Sequence, residues 1–209
     1  MNKCLIKIIE ALQNYYGNVK PGLEYNGLYE LSVAVVLSAQ TTDKQVNKIT
    51  PELFKKFPDF AALSSARVLE VEPYIKSTGF YHNKAENIIK LAKAVVLDKN
   101  GNLPDTMEEL TTLPGIGRKS ANVILTQGFG KPGFAVDTHV IRLARRLGIS
   151  DSGRPEVIEK IVNESLPKEY WYTAHLMLVH HGRNICKARN PKCEECPISH
   201  LCISSDKTF

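Results

Sequence analysis

The stretch that decides the fold reads Leu113-Pro114-Gly115-Ile116-Gly117-Arg118-Lys119-Ser120-Ala121. Its proline presets one φ angle, and its glycines reach φ > 0 without a Cβ clash, so residues 113–117 predict a tight hairpin. The apolar run from Ser120 onward predicts a buried helix. Residues 104–110, with a capping residue and early acids, predict a short helix upstream. The unit is therefore a helix, a glycine hairpin and a second helix, with Lys119 at the mouth of the second.

Such a hairpin has an evident chemical use. Backbone N–H groups that are exposed beside a helix N-terminus form an anion site suited to a phosphate of a nucleic-acid backbone. We expect Gly115 and Gly117 to let the backbone approach that phosphate closely. The local chemistry alone leaves a plain connector between two helices as an equal alternative.

Composition and charge set the class of protein. The 209 residues are 43% hydrophobic and 23% charged, which is typical of a globular protein with one generous or two modest domains. The net charge is +5, and residues 118–146 hold six cations against one acid, Asp137. A local excess of this kind suits a polyanion such as nucleic acid, although a solvated helix face has the same pattern. The first ten residues show no secretion signal, and no apolar run is long enough to cross a membrane. We therefore expect a cytoplasmic protein.

Apolar residues recur at helical spacing through nearly the whole chain, and no alternating strand pattern is convincing, so the predicted class is all-α. The sequence predicts a buried helix over residues 31–39, a capping box from Thr42 to Gln45, and a helix start at Thr50-Pro51. It also predicts an amphipathic helix over residues 85–96, backed by Lys84, Lys90 and Lys93, and further helices over 140–147, 155–166 and 170–181. Lys-Pro-Gly at 20–22 and again at 131–133 indicates two domain seams.

Four of the five cysteines, Cys186, Cys193, Cys196 and Cys202, fall within 17 residues, with gaps of six, two and five. A disulfide framework is not expected without a secretion signal. Four thiolates at this spacing predict a metal centre, either tetrahedral zinc or an iron–sulfur cluster, whose default role is structural. The first gap is a basic loop, and its Lys187, Arg189 and Lys192 are candidates for phosphate contacts.

Lys119 and Asp137 are the candidate catalytic pair. Asp137 precedes an amphipathic helix, where an aspartate is a good N-cap, but a capping carboxylate can still carry chemistry through its other oxygen. A lysine amine is mostly protonated at neutral pH and attacks only after a nearby cation or desolvation has favoured its neutral form. Arg118 is the neighbouring cation. Lys119 would attack an electrophilic sugar carbon, while Asp137 steered protons and stabilised positive charge.

Together, the hairpin, the sequence Val136-Asp137-Thr138-His139, residues 38–43 and the cysteine spacing resemble the endonuclease III family of DNA glycosylases, over nearly the whole chain. The resemblance implies two α-helical domains with a DNA-binding groove between them. Residues 22–132 would form a six-helix barrel carrying the helix-hairpin-helix motif. Residues 1–21 and 133–209 would form the cluster domain, in which the four cysteines hold a 4Fe-4S cluster rather than zinc.

The resemblance also implies residue roles. Lys119 corresponds to the nucleophile that attacks C1′ of a flipped-out damaged nucleotide, forming a Schiff base whose β-elimination cuts the strand. Asp137 corresponds to the acidic partner, and Gln40 to the residue that fills the gap in the duplex. Phe80 lies where relatives often carry a leucine wedge, and His82 departs from the asparagine found in some.

The implied activity is removal of oxidised pyrimidines from double-stranded DNA, with cleavage at the abasic sites, by a monomer that binds no membrane. Two alternatives remain. One is a mismatch-specific glycosylase of the same superfamily, although such enzymes typically lack this lysine. The other is a non-catalytic helix-hairpin-helix module that only binds DNA.

Overall fold

The computed structural model describes residues 3–208, and every regular element among them is helical, which confirms the predicted all-α class. None of these helices is long and apolar enough to span a membrane. Single 3-10 turns occur at Lys76–Thr78 and, near the end of the chain, at Ser199–Leu201. The α-helices are α1 (Lys3–Tyr16), α2 (Gly27–Leu37), α3 (Asp43–Lys56), α4 (Phe60–Ser64), α5 (Val68–Ile75), α6 (Tyr81–Asp98), α7 (Met107–Leu110), α8 (Arg118–Phe129), α9 (Thr138–Arg146), α10 (Pro155–Ser165) and α11 (Lys168–Asn184).

The chain divides into two compact units. The first, Pro21–Lys131, contains α2 to α8, and α2 lies at its centre because every residue from Leu31 to Leu37 is buried. Helix α8 packs closely on α2 at Gly128, where an added Cβ would come within 2.6 Å of the Leu28 side chain. The prediction of a central buried helix is therefore confirmed, although α2 begins earlier and ends before Ala39.

The second unit combines the described residues up to Lys20 with those from Pro132 onward. It contains α1 and α9 to α11 around its own core, in which Phe134 is fully buried. Helix α9 approaches α11 closely at Gly182, where a Cβ would lie 2.9 Å from the Cβ of His139. The turn after α9 places Gly148 in the left-handed region, at φ +67, as a helix-ending glycine requires.

Two helix starts were only partly predicted. Thr42 caps α3 by accepting from the Gln45 N–H at 3.2 Å, but the Gln45 amide donates to Ser77 Oγ at 2.6 Å instead of closing the capping box. The predicted start at Thr50-Pro51 is wrong, because α3 runs through Pro51. The buried Thr50 and the apolar side chains around it keep the helix continuous there, and tertiary packing outweighs the hydrogen bond that proline cannot make.

Candidate functional site

The glycine hairpin lies between α7 and α8, as predicted. Thr106 caps α7 by accepting from the Glu109 N–H, and the Ile116 N–H closes the turn on the Leu113 carbonyl at 3.1 Å. The side chains of Leu113 and Ile116 are buried and fix the hairpin to the core of its unit. The turn is therefore held from inside, while its glycines and the start of α8 remain exposed.

The two glycines of the hairpin serve different purposes. Gly115 has φ +78, and a Cβ there would lie 3.1 Å from Val36 Cγ1 and 3.2 Å from the Cβ of Asn87. It is required both for its left-handed backbone and for close packing. Gly117 has φ −92 and ψ 178, and no heavy atom lies within 4 Å of a Cβ built on it. The fold therefore does not require glycine at Gly117, and a ligand that approaches the backbone is a separate reason for it.

Helix α8 begins at Arg118, two residues earlier than the predicted apolar run. Gly117 is its N-cap and provides no side-chain acceptor, and the Ala121 N–H makes the first bond, to the Gly117 carbonyl at 2.9 Å. The N–H groups of the first turn therefore point out of the helix without an acceptor inside it, which favours an anion. Lys119 is the second helical residue and is exposed. Lys119 is thus an exposed cation in the first turn of α8, beside these N–H groups.

Asp137 occupies the N-cap of α9. Its Oδ1 accepts from the Val140 N–H at 2.9 Å, and its backbone is extended, as an N-cap requires. The carboxylate is half-buried, and its other oxygen, Oδ2, accepts no hydrogen bond from residues 3–208. The capping role and a chemical role are therefore compatible, because each uses a different oxygen. Asp137 and Lys119 belong to different compact units.

The four cysteines of the C-terminal region line one common cavity. All are half-buried, and none forms a disulfide. Burial raises the pKa of the Cys186 and Cys196 thiols, whereas the Arg146 guanidinium, 3.3 Å from Cys186 Sγ, opposes that rise. Such thiols become thiolates when a metal replaces their protons.

The arrangement of these thiols bears on the choice of metal. Within residues 3–208, no three cysteine, histidine or acidic side chains converge on the position of a single metal ion. Four thiols around a shared cavity provide the four thiolate ligands that an iron–sulfur cluster requires.

Arg142 connects the cysteine loop to the helix that Asp137 caps. Its guanidinium donates to the Cys186 carbonyl from Nε at 3.0 Å and from Nη2 at 2.9 Å, and to the Gly182 carbonyl at 2.8 Å. Burial lowers the pKa of Arg142, an effect that the negative charges of Cys186 and Asp137 partly offset. Sequence reasoning treated Arg142 only as part of a basic surface. At 3.6 residues per turn Arg142 lies on the side of α9 opposite its apolar stripe, so the sequence pattern contained no signal for these contacts.

Ion pairs with acids neutralise part of the positive charge of the basic segment 118–146. Acids from outside the segment pair with two of its cations: Lys131 lies 2.6 Å from Asp105, and Arg146 lies 2.7 Å from Asp206. In the cysteine loop, Lys187 and Arg189 are exposed, whereas Lys192 pairs with Glu195 at 3.1 Å. Lys187 and Arg189 are therefore stronger candidates for the predicted phosphate contacts than Lys192.

Gln40 and Phe80 lie at the tips of two exposed turns, after α2 and before α6. Both are non-glycine residues in the left-handed region, at φ 54 and φ 48, a conformation that costs of the order of 1–3 kcal/mol and is concentrated at functional sites. The Phe80 side chain is 68% exposed, which is unusual for a large apolar residue. His82, at a position where the family varies, is exposed and lies 2.6 Å from Glu72 Oε1.

The prediction for Lys84 is wrong. This lysine was placed on the polar side of α6 with Lys90 and Lys93, but it is buried, while those two are exposed. The helical period contained the signal, because Lys84 precedes Ile88 by four residues and thus lies on the apolar stripe.

Comparison with known proteins places the chain among DNA repair proteins. Residues 33–168 match the HhH-GPD superfamily base excision DNA repair proteins, and residues 186–202 match the iron–sulfur binding domain of endonuclease III. Endonuclease III of Synechocystis sp. is 43% identical over 95% of this chain and 91% of its own length.

Two solved structures are similar to this fold. One is a non-covalent endonuclease III–DNA complex, 38% identical with a TM-score of 0.92, covering 97% of this chain and 95% of that one. The other is a trapped endonuclease III–DNA covalent intermediate with an estranged adenine, 40% identical with a TM-score of 0.90, covering 97% of this chain and 96% of that one.

Proposed function

Because the chain belongs to the HhH-GPD superfamily of base excision DNA repair proteins and, within it, to the endonuclease III family, we propose that it is a bifunctional DNA glycosylase and abasic-site lyase. The observation that carries the proposal is the exposed Lys119 in the first turn of α8, directly behind the glycine hairpin. Its substrate is double-stranded DNA that contains damaged bases, in the first place oxidised pyrimidines, or abasic sites.

The hairpin binds the DNA backbone next to the lesion. The N–H groups of the first turn of α8, which have no acceptor within the helix, and the partial positive charge of the helix N-terminus attract a phosphate. The space around Gly117 lets that phosphate reach the backbone, since no side chain lies within 4 Å of its Cβ position. Binding there fixes the strand beside Lys119.

Lys119 supplies the nucleophile. After losing a proton, its Nζ attacks C1′ of the flipped-out nucleotide; the new C–N bond replaces the bond from C1′ to the base, and the base leaves with a proton. The sugar ring then opens: the C1′–O4′ bond breaks, O4′ takes a proton, and C1′ and Nζ become joined by the double bond of a Schiff base. The Schiff base makes a C2′ hydrogen acidic. Loss of that proton expels the 3′ phosphate oxygen and cuts the strand.

Asp137 moves protons and stabilises positive charge on the sugar in the same reaction. The capping bond of Oδ1 holds the carboxylate in one orientation, which leaves Oδ2 for this work. The role follows the family resemblance, since Asp137 occupies the position of the acidic partner in its motif.

Gln40 and Phe80 occupy the gap that the flipped nucleotide leaves. Their turns are exposed and held in a strained backbone conformation, so little ordering is needed when they enter the duplex. Phe80 would wedge by stacking on a neighbouring base. Lys187, Arg189 and Lys192 contact phosphates further along the DNA.

The match of residues 186–202 to an iron–sulfur binding domain supports Cys186, Cys193, Cys196 and Cys202 as the ligands of a 4Fe-4S cluster. When bound, the cluster cross-links the four cysteines and stabilises their loop. Arg142 links this loop to α9, because its guanidinium donates a hydrogen bond to the Cys186 carbonyl. We assign residues 22–132 to the six-helix barrel domain and residues 1–21 with 133–209 to the cluster domain, in a monomer that acts in the cytoplasm.

Borohydride trapping tests the proposal. The wild-type protein should form a covalent complex with a duplex that contains an oxidised pyrimidine or an abasic site. Lys119→Gln should abolish trapping and retain DNA binding, whereas the matched control Lys93→Gln, an exposed lysine on α6, should trap normally.

The same experiment separates the alternatives. A wild-type protein that binds DNA but forms no trapped complex with any lesion would be a non-catalytic module. A panel of oxidised pyrimidines, abasic sites and mismatches would reveal a mismatch-specific glycosylase by its preference for the mismatches.

A further inference from the structure

Lys84 lies in the interior of the unit Pro21–Lys131, with 5% of its surface exposed. Its ammonium group donates one hydrogen bond to Thr41 Oγ1 at 2.7 Å and another to the Thr78 carbonyl oxygen at 2.9 Å. Thr41 Oγ1 in turn donates to the same Thr78 oxygen at 2.5 Å. Three groups from three segments therefore form one hydrogen-bonded triangle, which we call the Lys84 triangle.

The Lys84 triangle joins the two turns that carry Gln40 and Phe80. Thr41 follows Gln40 directly, and Thr78 precedes Phe80 by two residues. The backbone N–H of Lys84 also donates to the Phe80 carbonyl at 3.0 Å, which is the first bond of α6. Lys84 thus reaches one turn through its side chain and the other through both side chain and backbone.

Packing alone does not account for a lysine at this position. A buried ammonium group loses its hydration, which lowers the pKa of Lys84, and no carboxylate of residues 3–208 forms an ion pair with it. An apolar side chain of similar length would fill the same space without that cost. Unlike an apolar side chain, the ammonium group has three hydrogen-bond donors at one point. Two of them bind the two turns, one at Thr41 and one at Thr78.

The strained backbone on either side explains why the donors are needed. Left-handed Gln40 and Phe80 persist only where the surrounding structure holds them, because each conformation costs of the order of 1–3 kcal/mol. Gly79, at φ +67, adds a flexible position directly before Phe80. Without an internal tie, both turns would relax independently.

We propose that Lys84 is a positioning residue, which holds the Gln40 and Phe80 turns at a fixed spacing so that both side chains enter one gap in the duplex. This inference rests on the proposed function only in its last part, the entry into DNA. The tie between the two turns is a property of the free protein and is tested without DNA.

The first experiment measures amide hydrogen exchange in the free protein. Lys84→Met keeps the length and apolar volume of the side chain and removes its donors. Exchange over residues 38–42 and 76–82 should accelerate by at least about tenfold, because Lys84→Met removes two charge-assisted hydrogen bonds. Exchange over residues 106–112 should not change, nor should any segment in the matched control Lys90→Met, on the exposed side of α6.

The second experiment compares excision in two backgrounds, as a double-mutant cycle. In single-turnover reactions on a paired duplex, Lys84→Met should slow base removal about tenfold. In a protein that already carries Gln40→Ala and Phe80→Ala, the same change should alter the rate by less than about twofold. Trapping on an abasic site in single-stranded DNA, which has no gap to fill, should be unaffected in every variant.

The outcomes decide the proposal. Unchanged exchange in both turns, or an equal loss of rate in both backgrounds, would overturn it, because a general structural effect of Lys84 acts in either background. If Lys84→Met does not fold, Thr41→Val removes the second corner of the triangle and must give the same exchange pattern. A wild type that traps on no lesion refutes the proposed function instead, and the exchange result still decides whether the triangle holds the two turns.

Discussion

Replacing Gly117 by serine separates the folding role of the hairpin from its proposed role in binding DNA. At φ −92 and ψ 178 the backbone of Gly117 suits a serine N-cap, and no atom lies within 4 Å of the added Cβ. Serine is a better N-cap than glycine by a few tenths of a kcal/mol, so the free energy of unfolding should stay within about 0.5 kcal/mol of the wild-type value or rise. The fold of the hairpin should be unaffected.

DNA binding should respond in the opposite direction. If a phosphate approaches the backbone at Gly117, the new Cβ and hydroxyl occupy that space and remove a contact. Loss of one such contact should raise the dissociation constant for a lesion-containing duplex about tenfold, which corresponds to about 1.4 kcal/mol.

Gly115→Ala supplies the contrast. An L-residue in the left-handed region costs roughly 1–2 kcal/mol. Alanine also lowers the conformational entropy of the unfolded chain, which stabilises the folded state by about 0.4–1 kcal/mol and offsets part of that cost. The contacts at 3.1 Å with Val36 and 3.2 Å with Asn87 add to it. We expect a net loss of about 1–2 kcal/mol, or a melting temperature lower by about 2–8 °C.

Urea denaturation followed by circular dichroism, together with binding to a duplex carrying a non-reacting abasic-site analogue, measures both quantities for both variants. A wild-type dissociation constant for Gly117→Ser would refute the proposed role of Gly117, because the free space around it would then have no part in DNA binding. Destabilisation of Gly117→Ser as large as that of Gly115→Ala would contradict it equally.

Four other substitutions test the packing, the cysteine centre and the charged loop. Gly128→Ala should destabilise the protein by about 1–3 kcal/mol in urea denaturation, because the new Cβ would lie 2.6 Å from Leu28 and 2.9 Å from Leu31. Cys193→Ser should reduce the absorbance of the purified protein near about 410 nm, since thiolates are the expected ligands of the cluster; a colourless, zinc-replete wild type would contradict the iron–sulfur assignment. Lys187→Gln should reduce the slope of log affinity against log salt by about one, whereas Lys192→Gln should reduce it less, because Lys192 is paired with Glu195.

The predictable parts of this protein are those determined by local chemistry. The hairpin follows from the allowed backbone angles of Pro114 and Gly115. The N-caps at Thr106 and Asp137 follow from side chains that accept a hydrogen bond from the backbone N–H three residues later. Each of these features involves residues only a few positions apart. They required no knowledge of what the rest of the chain does.

The wrong predictions concern residues whose conformation or contacts depend on parts of the chain that are distant in sequence. Pro51 is a helix starter by local rules, but the packing of α3 carries the helix through it. The Gln45 side chain donates to Ser77, 32 residues away, instead of accepting from the N–H of its own N-cap, Thr42. Lys84 looked like a solvated lysine because its partners, Thr41 and Thr78, lie in segments that only the folded unit brings together. A sequence pattern identifies a polar residue on an apolar stripe, but it does not identify the acceptors.

The three turns proposed to contact DNA share one rigid support within the unit Pro21–Lys131. The hairpin packs through Gly115 against Val36, at the end of α2, and against Asn87, in α6. The Gln40 turn follows α2, and the Phe80 turn begins α6. Both helices contribute fully buried residues to the same core, so their ends resist relative movement. The packing of α2 and α6 therefore fixes where the hairpin and the two turns leave the core, and the Lys84 triangle then holds the strained Gln40 and Phe80 turns against one another.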